Sequence, residues 1–353
     1  MRPIPKSWHN AAAAASVALA LALPPAPNAL AADLQTVTVI MPFERTTSGF
    51  ALIAGEALGY FAKEGVKVDV LPQATTIPYV AFVQNGQADL AMLDAQQTFQ
   101  AVQAQVPIKV IYEVMQRAPE GIAVPADSPI RSIVELKGKT VGLVSDRDRA
   151  TLAIALDTKG IKIDEVTTVV VGEAGPTLAN AFRKKTVAAI AGATPDWMAL
   201  QANGIKIRMI TPPEVAETPA NSFVMLASQI DKKRKLISGF LRAWEKGRVA
   251  ADIDREAVAA MCKKVVPEEW ENAEFGKQFL AQSIAVNTPI TKKTGDMQPD
   301  VWGRVQEQMI KIGELNKRYD PKTFLDGSMI DAANDFDRNA IAADLKAWRA
   351  KNM

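Results

Sequence analysis

Histidine and cysteine are almost missing from this chain: 353 residues contain one of each, His9 and Cys262. A single thiol excludes any internal disulfide. His9 lies within "MRPIPKSWHNAAAAASVALALALPPAPNALA", which reads as an export leader. Arg2 and Lys6 supply the positive start, Ala11 to Leu23 the apolar core, and Ala29-Leu30-Ala31 a small-x-small cleavage pattern. The apolar core is too short to span a membrane stably, and no cysteine follows it for lipid attachment, so cleavage after Ala31 and a periplasmic destination are expected. The remaining chain then has no histidine. That excludes histidine triads, histidine general bases and the usual zinc sites, while carboxylate, lysine or tyrosine chemistry and a calcium site stay open. No cofactor and no metal are expected, and the chain is read as a binder rather than an enzyme.

Two further things are scarce. No later apolar run approaches ~18 residues, so the rest of the chain is expected to be soluble. Charge of one sign is also lacking, with 41 Lys and Arg against 39 Asp and Glu. Without Arg2 and Lys6 the two counts are equal, which argues against nucleic acid or an anionic membrane as partner.

What is present is alternation. "TVTVIM" at 36–41, "VKVDVLP" at 66–72, "ADLAML" at 88–93 and "IKVIYEVM" at 108–115 read as strands separated by helices, the first over 48–65. A second such unit follows, with strands near 122–124, 140–144, 166–171, 187–191 and 205–210. Strict β-α-β order predicts largely parallel sheets covered by helices on both faces. After "FVMLAS" at 223–228 the texture becomes helical. In "DKKRKLISGFLRAWEKG", Leu236, Phe240, Leu241 and Trp244 form one stripe, which makes the basic run Lys232 to Lys235 the wet side of that helix. "VQNGQADLAML" and "FRKKTVAAIAG" form a faint internal echo about a hundred residues apart, as two similar α/β lobes would.

The ordered set "ALGYFAKEGVKVDV", "NGQADLAML", "ADSPIRSIVELKGKTVGL" and "AF…VAAI…P" resembles the substrate-binding proteins of ABC importers, in the branch handling nitrate, alkanesulfonates, taurine and thiamin-pyrimidine precursors. That resemblance implies an α/β, two-lobed type II periplasmic binding fold, with a ligand cleft between the lobes and a helical C-terminal region. The implied boundaries are a leader at 1–31, lobe one at 32–117, lobe two at 118–221, and a return to lobe one at 222–353. Crossings near Arg117 to Gly121 and Thr218 to Phe223 would form the hinge. The implied partners are a small-molecule ligand, an inner-membrane permease and its ATPase, with the protein itself monomeric. A receptor for a membrane signalling protein is one alternative within the fold, and a secreted carboxylate-dependent enzyme of the same fold is the other. The chain departs from the family where a Gly-Ser-rich turn is replaced by "SDRDR", and where Lys185 and Ala188 stand in place of the usual Gly and Asp.

Candidate ligand-binding residues lie at the strand-end turns. After strand one, Phe43 offers a ring for stacking; Glu44 and Arg45 form an external pair or meet ligand; Thr46, with Thr47 and Ser48, caps a helix or donates to ligand. Asp94 is either an N-cap or an acceptor for a ligand N–H. Arg117 sits at the hinge and pairs with Glu120 or with substrate. In lobe two, Ser145 is the small polar donor, and Arg147 and Arg149 either clamp an anion or pair with Asp146 and Asp148. Gly175 and Thr177 open a further helix, and Asp196 and Trp197 follow the turn that corresponds to Asp94. The cargo is expected to be a sulfonate or carboxylate anion, or a heterocycle.

Overall fold

The computed structural model describes residues 34–42, 45–72, 78–146, 148–172 and 174–353. The leader therefore lies outside the described residues. The strands are β1 (Gln35–Ile40), β2 (Val66–Val70), β3 (Leu90–Leu93), β4 (Ile108–Glu113), β5 (Glu120–Pro125), β6 (Thr140–Leu143), β7 (Thr167–Val170), β8 (Ala189–Ala193), β9 (Ile207–Met209) and β10 (Ser222–Leu226). They form two five-stranded sheets, ordered β2-β1-β3-β10-β4 and β7-β6-β8-β5-β9.

The two sheets share one plan. β1 is parallel to β2 and β3, as β6 is to β7 and β8, and each sheet then takes one antiparallel strand, β10 in the first and β5 in the second. β3 and β8, the two halves of the sequence echo, hold equivalent places. The sheets are mixed rather than largely parallel. The antiparallel strands are those the chain enters after crossing from the other sheet, β4 to β5 and β9 to β10, so they run against their neighbours.

Burial follows the side-chain period of a strand. In the second sheet Ile122, Val124, Ala189 and Ala191 face one apolar cluster, while Ala123 and Ile190 face another. The first sheet shares a larger core with the C-terminal helices, including Trp244, Phe240 and Trp302. The expected helix over 48–65 is broken at Gly59, whose φ of +72° ends Phe50–Ala57 before Tyr60–Lys63 begins. The basic run is the wet side of the long Ile230–Ile253 helix, with Lys232 and Lys235 exposed. Among the described residues no helix is long and apolar enough to cross a membrane.

Candidate functional site

A cleft of about 700 Å³ opens where the two sheets' strand ends and both crossings converge. Asp94 to Gln96 come from the end of β3, Val144 and Ser145 from the end of β6, and Ala193 to Asp196 from the end of β8. The crossings contribute Ala118, Glu120 and Thr218 to Ala220, and Val215 adds an apolar contact. A further wall is the helix Pro299–Lys311, which presents Val305, Gln308 and Met309, with Ile312 just beyond it. Two larger hollows, about 780 and 1000 Å³, flank that helix and are lined mainly by charged residues such as Asp157, Glu307, Lys311 and Arg318 in the first, and Asp146, Arg149 and Lys162 in the second.

Ligands collect at the carboxyl ends of strands in α/β sheets partly because helices start there with unpaired N–H groups. Here the chain fills those positions itself. Gln97 N donates to Asp94 Oδ1 at 2.7 Å, and the Gln97 side chain answers in a capping box. Ser145 N and Oγ donate to Asp148 Oδ2 at 2.7 and 3.0 Å. Ala193 N donates to Asp196 Oδ2 at 2.7 Å. After β1, Thr47 N donates to Glu269 Oε2 at 2.7 Å, and Trp270 Nε1 donates to Thr47 Oγ1 at 3.1 Å. A Cβ on Gly192 would stand 2.9 Å from Asp196 Oδ2, so this glycine is what lets that carboxylate lie against β8.

Five carboxylates line the cleft, those of Asp94, Glu120, Asp148, Asp196 and Glu314, and no Lys or Arg does so among the described residues. The remaining lining is mostly apolar: Val144, Ile154, Val215, Val305, Met309 and Ile312. The described surface thus combines carboxylates with an apolar wall.

Asp94, Ser145 and Asp196 thus line the cleft. Phe43, Glu44 and Arg147 lie outside the described residues. The other expected site residues are placed elsewhere. Arg149 is exposed, with Nε 3.3 Å from Asp146 Oδ1 and Nη1 donating to Thr168 Oγ1 at 2.7 Å, and it lines the neighbouring groove rather than the cleft. Trp197 is 7% exposed and packs with Leu178, Phe182 and Leu200 beneath β8, because its ring points into the apolar cluster rather than across the turn. Gly175 faces Asn203 and Ala199, where a Cβ would meet Asn203 Nδ2 at 2.8 Å, so it serves helix packing. Thr177 is exposed and outside the cleft lining. Arg45 reaches back to Glu56, with Nη2 2.9 Å from Oε1. The Thr46 hydroxyl is buried without a hydrogen bond and caps nothing. Arg117 is half-buried on the β4–β5 crossing and does not line the cleft, whereas Glu120 does.

The sequence reading did not anticipate Glu120, Asp148 as a cleft residue, or the whole Pro299–Lys311 wall. The last carried a signal in its spacing: residues 305, 309 and 312 repeat at helical intervals in "VQEQMIKI". Cys262, the lone thiol, is buried in the core that the first sheet shares with the C-terminal helices, and burial pushes its pKa up to about 12, so it offers no thiolate.

A family model described as NMT1/THI5 like matches residues 47–252, more than half of the chain. The riboflavin-binding protein RibY of Chloroflexus aurantiacus is 26% identical over 313 residues, which cover 84% of this chain and 86% of RibY. The periplasmic aliphatic sulphonate binding protein SsuA of Escherichia coli superposes with a TM-score of 0.64 at 16% identity, over 82% of this chain and 91% of SsuA. The desulfurization enzyme DSZB shares the fold as well, with a TM-score of 0.58 at 15% identity over 85% of this chain and 98% of its own.

Proposed function

The chain belongs to the NMT1/THI5-like family, and from that premise we propose that it is a periplasmic solute-binding protein of an ABC importer whose cargo is an uncharged, donor-rich heterocycle. The observation that carries the cargo class is the self-capped cleft. At the ends of β3, β6 and β8 the chain's own carboxylates take the backbone N–H groups that an anion would use. An added sulfonate or carboxylate would find those N–H groups already taken. A ligand bearing ring N–H and hydroxyl groups would instead find acceptors, and its flat apolar part would lie against Met309, Ile312 and Val144.

The size agrees. About 700 Å³ falls within the ~300–1,000 Å³ of pockets that enclose drug-sized ligands, and it would be wasted on an inorganic ion. Riboflavin, with an imide N–H and a polyhydroxylated chain, is the first candidate, and the similarity to RibY supports it. Closure on solute, docking on a permease and return to the open form complete the cycle, which needs only contacts made with both lobes at once.

The test is native mass spectrometry of the protein taken from the periplasm, with thermal-shift titrations against riboflavin, an alkanesulfonate and nitrate. A retained heterocycle, or a shift with riboflavin alone, supports the reading. A saturable shift with sulfonate or nitrate would overturn the cargo class.

A further inference from the structure

The Pro299–Lys311 helix belongs to lobe one at its beginning and touches lobe two along its length. Trp302 is fully buried, 5.5 Å from the Phe99 ring, and its indole N–H donates to Glu113 at the end of β4. Gln306 holds Tyr319 at both backbone positions, with Nε2 donating to the carbonyl at 2.9 Å and Oε1 accepting from the N–H at 2.7 Å. This end of the helix is therefore fixed to the larger core. Its other face lies over the cleft, and two of its side chains continue across to lobe two.

Lys311 Nζ stands 2.9 Å from Asp157 Oδ2. Arg304 Nη2 donates to the Glu217 carbonyl at 3.4 Å. Both recipients are places that lobe two leaves unsatisfied by itself. Asp157 is the last residue of the Asp148–Asp157 helix, where the dipole disfavours an acid. Glu217 is the C-cap of the short Pro213–Ala216 helix, whose final carbonyls lack helical partners. A cation arriving from the other lobe corrects each. Lys311 is itself the last residue of its own helix, where a cation is favoured.

From this geometry we propose that the Pro299–Lys311 helix is a latch: Lys311–Asp157 and Arg304–Glu217 hold the lobes together across the cleft before solute arrives. The latch's consequence for uptake rests on the solute-binding reading above, but the latch itself does not. Both contacts are solvent-exposed, with 62% of the Lys311 side chain and 36% of that of Asp157 accessible, so each is weak and screened by salt. Together they bias the closed form about fivefold. That is enough to slow solute exchange while leaving the lobes free to part on a permease.

The experiment needs no ligand. Spin labels are placed on Gln100→Cys, one turn beyond the groove residue Gln96 in lobe one, and on Asp164→Cys at the lip of lobe two. The buried Cys262 does not compete for label. Pulsed dipolar spectroscopy then reads the distance distribution in solute-free full-length protein. The doubly labelled protein is expected to show a dominant short distance, and adding Arg304→Met with Lys311→Met is expected to raise the long-distance population about fivefold. Asp157→Lys paired with Lys311→Asp is expected to restore the short distance, which a merely destabilised protein would not do. An unchanged distribution in the Arg304→Met/Lys311→Met protein would overturn the latch, whatever solute the cleft takes.

Discussion

Glu113 is the group whose perturbation tests the packing behind the cleft most sharply. It sits at the end of β4, 1% exposed, accepting the Trp302 indole N–H. Burial raises its pKa from the ordinary 4.5 to about 8, against the opposing hydrogen bonds from Trp302 and Gln116 and with Asp296 adding a little repulsion. The folded state therefore binds a proton that the unfolded state releases, between pH 4.5 and 8. Stability from this group is fully present below the unfolded value and is lost as pH rises through the folded one. At about 1.4 kcal/mol per pH unit the loss across that window is roughly 4–5 kcal/mol. Glu113→Gln keeps an acceptor for Trp302 and cannot ionise. Urea unfolding of both proteins at pH 5, 6, 7 and 8 is expected to show near-equal stability at pH 5 and a variant that is several kcal/mol more stable at pH 8. Parallel profiles, or a variant weaker at pH 8, would refute the assignment of a buried, proton-holding carboxylate beneath the Pro299–Lys311 helix.

Trp197→Ala should cost about 3–5 kcal/mol of stability through the cavity it leaves under β8, while solute affinity per folded molecule stays unchanged; urea midpoints and a ligand titration on the same samples separate the two. Asp148→Ala should lower stability by about 1–2 kcal/mol, because Ser145 loses the acceptor of its backbone and hydroxyl donors. The same variant should gain a sulfonate-dependent thermal shift, since the N–H it uncovers faces the cleft with one acid fewer beside it. No sulfonate response would mean that self-capping is not what excludes anions.

Much of the fold was legible because its signals are local. β3 and β8 end in "ADLAML" and "VAAIAG", small and apolar residues that only a strand buried on both faces tolerates. Asp94 is a cap because an acid three residues before Gln97 makes a capping box whatever the tertiary setting. Trp197 and Arg149 were harder to place, since both follow strand-end turns and turn position alone does not say which way a side chain leaves. Trp197 goes to the apolar cluster, where a large ring gains most from burial. Arg149 goes to Asp146, three residues back in the turn before the helix, and to Thr168 on β7. The Pro299–Lys311 wall was legible as an amphipathic helix but not as a cleft wall. Its spacing states that one face is covered; which lobe covers it depends on contacts about two hundred residues away, such as Trp302 with Glu113.

On the proposed reading, self-capping is how a fold shared with sulfonate binders takes a different cargo without rebuilding its sheets. Strand ends and helix starts are set by topology, so their N–H groups face the cleft in any member of such a fold. Placing an acid within hydrogen-bond reach of each, as Asp94, Asp148 and Asp196 are, satisfies those donors internally. Each such change is a single side chain at a helix start, and Asp94, the N-cap of its helix, also strengthens that helix by about 1 kcal/mol. On that reading, selectivity against anions and stability at these turns rise together, and neither requires movement of the core. Half of the apolar share named above, Val305, Met309 and Ile312, is supplied separately, from outside the span that the family model matches. The proposed reading accordingly expects substitutions at Met309 and Ile312 to alter which solute shapes give a thermal shift, while Asp94, Asp148 and Asp196 keep the charge class fixed.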